Sequence, residues 1–122
     1  MRIIIASILI ALLAACATPA DRRSQRPDLN LFSEKSAKEV AICIADKWEN
    51  SKPFFALSSI PVSTSMKPNG YAITATTTAT AGNTNTIALV DIIEIDNQVQ
   101  IKYYRQSASG LGDYDDAVTA CQ

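Results

Sequence analysis

Three thiols are the side chains best suited to chemistry in this chain: Cys16, Cys43 and Cys121. Histidine is absent, which removes the commonest general base and the commonest metal ligand at neutral pH. The sequence holds no Cys-x-x-Cys spacing, nucleophile elbow, glycine-rich phosphate loop or paired metal-ligand pattern. Serine and lysine are abundant enough for a Ser–Lys dyad, yet nothing singles one pair out. Asp113, Asp115 and Asp116 lack the glycine and distal glutamate of a calcium loop. They read instead as the start of a helix, with Asp113 as cap and the other two in a first turn where the dipole favours anions. Thr74, Thr76, Thr78 and Thr80 recur on one strand face, an array that could order water or hold a sugar. Threonine also suits a solvated strand, and that is our reading. Within Lys102-Tyr103-Tyr104-Arg105 neighbours point to opposite sheet faces, so they form no single aromatic-basic patch. The chain reads as non-catalytic, with no cofactor and no metal site.

Cys16 closes a patterned run. Arg2 provides a basic start, Ser7 is the one polar residue between Ile3 and Leu13, and Leu13-Ala14-Ala15 leads into the thiol. A basic start, a short apolar core and a small-residue cleavage site describe an export signal. The run falls short of the roughly 20 residues that a membrane-spanning helix needs. From Arg2 to Cys16 the sequence resembles the lipobox signal of bacterial lipoproteins. That resemblance implies removal of residues 1–15, a diacylglycerol thioether on Cys16 and usually an amine acylated by a chain such as palmitate. One such chain is a marginal anchor and two or more hold stably, at about 0.8 kcal/mol per buried CH₂. Many of these lipoproteins carry Asp after the cysteine when retained at the inner membrane. Ala17 stands there in this chain, which points to the outer membrane and its periplasmic face or surface.

Export gives the other two thiols a meaning. With Cys16 committed to lipid, Cys43 and Cys121 are an even pair in an oxidising compartment and read as a disulfide. Closing so long a loop would restrict the unfolded chain by about 4.5 kcal/mol. A buried free pair or a redox couple are the alternatives. With 11 basic and 12 acidic side chains interspersed, the net charge of −1 leaves no electrostatic footprint for nucleic acid.

The elements that must position these residues follow along the chain. Residues 16–35 read as the lipidated cysteine and a flexible tether, because two prolines and five charges between Ala17 and Phe32 leave almost no apolar periodicity. Such a tether would hold the domain about 20–25 Å from the membrane. Arg22, Arg23 and Arg26 could touch anionic headgroups, but such a cluster is more often solvated, and that is our reading. Residues 36–122 read as a small α+β domain. Ser36-Ala37-Lys38-Glu39 has capping-box spacing, and Ala37, Val40, Ala41, Ile44 and Trp48 make one helical stripe with Cys43 on its flank. Trp48 is expected in the core. Phe54 to Leu57 is undecided between helix and loop.

Ile60 to Met66 alternates as a strand that Pro61 confines to an edge. Lys67-Pro68-Asn69-Gly70 turns the chain into a strand from Tyr71 to about Thr80, with Tyr71, Ile73 and Ala75 facing inward. Thr86 to Ile95 is the most apolar strand. A two-residue turn at Asp96-Asn97 would set Asp91 opposite Lys102 as an ion pair and Ile92 opposite Ile101; a three-residue turn would break that pairing. Ser107 to Gly112 reads as a connector, after which Tyr114, Ala117, Val118 and Cys121 share a helical stripe.

The expected architecture is helix, four-stranded antiparallel meander and C-terminal helix, with both helices on one sheet face and joined by the disulfide. The stretch from Cys43 through Trp48 to Tyr103-Tyr104 and Ala120-Cys121-Gln122 also loosely resembles small uncharacterised lipoproteins of proteobacteria, a likeness that brings no catalytic residues. The functional expectation is a cell-envelope lipoprotein, membrane-bound through its lipid, whose domain binds or supports another envelope protein. The alternative is a surface inhibitor or phage-type exclusion lipoprotein that blocks an incoming enzyme or receptor event.

Overall fold

A computed structural model describes residues 17–51, 60–78, 82–106 and 110–122. The signal run with Cys16, the undecided stretch Phe54 to Leu57, Ala79 and Thr80, and Ser107 to Ser109 lie outside them. Eight elements follow in order: α1 (Pro19–Arg23), β1 (Leu29–Ser33), α2 (Ala37–Glu49), β2 (Val62–Lys67), β3 (Gly70–Thr78), β4 (Thr84–Ile95), β5 (Gln98–Arg105) and α3 (Gly112–Ala120).

The fold is α+β, but the sheet has five antiparallel strands rather than the expected four. The extra strand comes from the stretch expected as a tether, which carries both α1 and β1. Leu29, Leu31 and Ser33 alternate over β1 and pair with Tyr103, Ile101 and Val99 of β5. Strand order is therefore β1-β5-β4-β3-β2: the meander from β2 to β5 is as expected, and β1 closes its far edge.

Local chemistry explains the meander. Pro61 has no N–H to give a ladder; β2 starts just after it and is an edge strand. At the β2–β3 turn, a Cβ on Gly70 would run into the Ile92 carbonyl, so only glycine permits that approach of β3 to β4. Asp96 and Asn97 take φ of 49° and 66°, the backbone of a two-residue type I′ hairpin turn. That turn sets Asp91 opposite Lys102, Ile92 opposite Ile101 and Val90 opposite Tyr103. One irregularity was not anticipated. Ala75 pairs with Ala88 but Thr76 pairs with Thr86, leaving Ile87 as an extra residue in β4. This bulge lets consecutive Ile87 and Ala88 both enter the core.

The core lies on one face, beneath α2 and α3. Val40, Ile44, Trp48, Tyr114 and Val118 from the helices join Ile73, Val90, Ile92, Ile101 and Tyr103 from the sheet. Ser36 caps α2 by accepting from the Glu39 N–H at 3.1 Å; the Glu39 side chain makes no return bond among the described residues. Trp48 is fully buried, edge-on to Tyr103 and Tyr114 at centroid distances of 5.9 and 5.1 Å. Its indole N–H donates to the Tyr114 carbonyl at 3.3 Å. Cys43 is bonded to Cys121 with a Cα separation of 5.8 Å, which fastens α2 to the end of α3. The sequence separation of 78 gives that bond about 4.5 kcal/mol of unfolded-state restriction.

The opposite face is covered differently. Leu89 and Tyr104 are buried there, outside the main core, and α1 is the element that lies across β4 and β5.

Candidate functional site

The described residue nearest the expected lipid is Ala17, and the segment it opens is held against the sheet by polar contacts. Thr18 and Asp21 form a reciprocal capping box. The Thr18 hydroxyl accepts from the Asp21 N–H at 3.2 Å, and the Asp21 carboxylate accepts from the Thr18 N–H at 2.9 Å. The Thr18 amide, and then its hydroxyl, hold the Asp21 carboxyl below the usual carboxylate range. Pro19 occupies the start of the helix, where its missing N–H costs nothing. A single turn of helix results, and it presents Arg22 and Arg23 to the sheet.

What they meet is a gap in the β-ladder. Strand β5 ends at Arg105, opposite Ala88, so Thr86 has no partner from β5. Its N–H donates instead to the Ala17 carbonyl at 2.8 Å, and its carbonyl accepts from Arg22 Nε at 2.6 Å. The Ala17 N–H donates to Asn85 Oδ1 at 3.0 Å. Arg22 Nη2 reaches Asn85 Oδ1 and Gln106 Oε1, both at 3.4 Å, and Asn85 Nδ2 donates to Gln106 Oε1 at 3.1 Å. These acceptors are all neutral. Arg22 is 7% exposed, and burial lowers its pKa, though a guanidinium keeps its proton at any ordinary pH. Beside it Arg23 grips Asp91 with two bonds of 2.8 Å, and that hydrogen bonding raises the Arg23 pKa.

Several expected residues stand elsewhere than expected. Arg22 is buried and Arg23 half-buried against Asp91, while Arg26 is exposed. Asp91 does face Lys102, but both its oxygens are bound to Arg23, a planar fork that fits a carboxylate better than an ammonium does. Leu111, not Asp113, is the N-cap of α3, and it makes no side-chain cap bond. Asp115 lies 3.0 Å from Arg105 Nε, while Asp113 and Asp116 line an open cleft of about 460 Å³ with Asp46, Lys47 and Asn50. Tyr103 and Tyr104 point to opposite faces as expected, Tyr103 to the core and Tyr104 beside Asp91 and Arg23. Of the threonine row, Thr74 and Thr76 are half-buried and Thr78 is exposed; Thr80 lies outside the described residues.

An apolar depression of about 170 Å³ lies between α2 and the sheet edge, lined by Lys38, Ala41, Ile42, Ala45, Thr64 and Tyr71. Next to it Ile42 and Met66 are 59% and 82% exposed. Among the described residues no three of His, Cys, Asp and Glu are close enough to hold a metal ion, and no helix is long and apolar enough to cross a membrane. Sequence reasoning missed Arg22, Arg23, Asn85 and Gln106. The one available signal was Thr18-Pro19-Ala20-Asp21, a capping-box spacing with proline at the first helical position. No protein-family model matches the chain, and no curated protein matches it either.

Proposed function

We propose that the chain is a cell-envelope lipoprotein, anchored through acyl chains on Cys16, whose small non-catalytic domain binds or supports another envelope protein. The observation that carries this reading is the basic, apolar and small-residue run that ends in Leu13-Ala14-Ala15-Cys16. The Cys43–Cys121 disulfide supports it, because such bonds persist in exported proteins and are rare in the cytosol. The surface offered to a partner is Ile42 of α2 with Met66 of β2: apolar side chains in water gain by being covered, and among the described residues β2 has one unpaired side.

The test is a pull-down from intact cells with the native anchor in place. Intact mass should show a chain beginning at Cys16 with added lipid, and Cys16→Ser should release it from membranes or leave the signal uncut. An envelope protein recovered with the native chain should be lost on Ile42→Asp or Met66→Asp. A chain that starts at Met1 without lipid mass overturns the anchor. Recovery that is indifferent to both substitutions overturns the assigned surface.

A further inference from the structure

We infer that the domain does not swing on a tether but lies directly against the bilayer, with the β3–β4 hairpin end turned to the lipid headgroups. This rests on the anchor reading above and adds an orientation to it. A lipid on Cys16 is one peptide bond from Ala17, and successive Cα atoms are about 3.8 Å apart. Ala17 is itself bonded on both sides, its carbonyl to the Thr86 N–H and its N–H to Asn85 Oδ1. The capping box of Thr18 and Asp21, the buried Arg22 and the Arg23–Asp91 pair then hold the next six residues to the same face. No free chain remains between attachment point and sheet. Asn83 is three residues from Thr86 and so stands about 10 Å from that point along the chain.

The chemistry of the two sheet ends agrees. From Thr78 to Thr86 the sequence is Thr-Ala-Thr-Ala-Gly-Asn-Thr-Asn-Thr, without a single charge, and Gly82, Asn83 and Thr84 are exposed. Gly82, Asn83 and Thr84 meet headgroups with hydroxyl and amide groups, and the exposed Asp21 carboxylate near the attachment point is bonded to the Thr18 N–H and hydroxyl. The opposite end carries Lys67, Glu94 and Asp96, all exposed. It lies a full β4 length away, about 40 Å at the usual strand rise.

The experiment places a photo-cross-linking amino acid at Asn83 or at Asp96 in the full lipidated chain, reconstituted in phosphatidylethanolamine–phosphatidylglycerol vesicles. Lipid adducts should form several-fold more at 83 than at 96. The double substitution Arg22→Ala with Arg23→Ala should erase that difference while the Cys16 lipid and the disulfide remain, and should expose residues 17–28 to protease. Equal adducts in a chain whose intact mass includes the lipid overturn the orientation and leave the anchor standing. A chain without lipid mass overturns both. A difference that survives the double substitution shows that the arginine contacts do not set the orientation.

Discussion

The two faces of the sheet are covered by different physics. On one, α2 and α3 bury a continuous apolar stripe around Trp48 and are cross-linked by Cys43–Cys121. On the other, a one-turn helix is held by two arginines, a capping box and a borrowed ladder position at Thr86. Apolar burial has no direction and scales with area, so the helix face tolerates approximate placement. Polar docking has geometry. Arg22 satisfies its burial through neutral oxygens of Thr86, Asn85 and Gln106, and moving any one of them leaves a guanidinium short of partners. The helix face holds most of the buried apolar residues. The α1 face decides where the chain's N-terminal end leaves the domain.

That contrast can be broken first on the helix side. Replacing Cys43 and Cys121 together by serine should cost about 4.5 kcal/mol in the chain-entropy account, read as a lower midpoint in urea unfolding. Domains this small have about 5–15 kcal/mol in all, so the variant should be marginal at 37 °C. On the other face the expected effect is smaller and dependent on salt. A double-mutant cycle with Arg23→Ala and Asp91→Ala should give a coupling of about 2 kcal/mol, above the usual range for exposed pairs because Asp91 is 14% exposed and both bonds are short. Raising ionic strength should reduce it, whereas the cysteine effect should not respond.

The smallest effect sharpens the comparison through pH. Burial, with the Asp115 carboxylate beside it, pushes the Tyr103 phenol far above its usual range. A raised folded pKa means the stabilisation is whole below the ordinary phenol value of about 10 and is lost as pH rises past it, because only the unfolded chain then releases the proton. Stability should fall by about 1.4 kcal/mol for Tyr103 between neutral pH and pH 11. Tyr103→Phe should remove that share of the alkaline loss, measured by urea unfolding at pH 7 and pH 11.

Much of the helix face was legible because its signals are local. The stripe from Ala37 to Trp48 and the reversal at Asp96-Asn97 each follow from a few adjacent residues, and the Asp91–Lys102 register follows once that turn has two residues. The other face was not legible. Ala17 to Asp28 has no apolar period, so it reads as disorder, and its partners Thr86, Asp91 and Gln106 lie more than sixty residues away. Leu29 and Leu31 did alternate. Five residues of that pattern beside a charged stretch look like a tail until β5 offers an open edge.

By itself the sequence determined the α+β class and the order of the meander strands, and it pointed to Cys43 and Cys121 as the bridging pair; Asp91 opposite Lys102 was one of two hairpin registers it allowed. These depend on side-chain periodicity and turn chemistry, which act between near neighbours. Tertiary structure alone decided that a fifth strand joins the sheet, that Ile87 bulges into the core and that Arg22 and Arg23 bind the far face. Each of those depends on a vacant hydrogen-bonding position or a carboxylate brought near by folding, and no local pattern of residues specifies such a position.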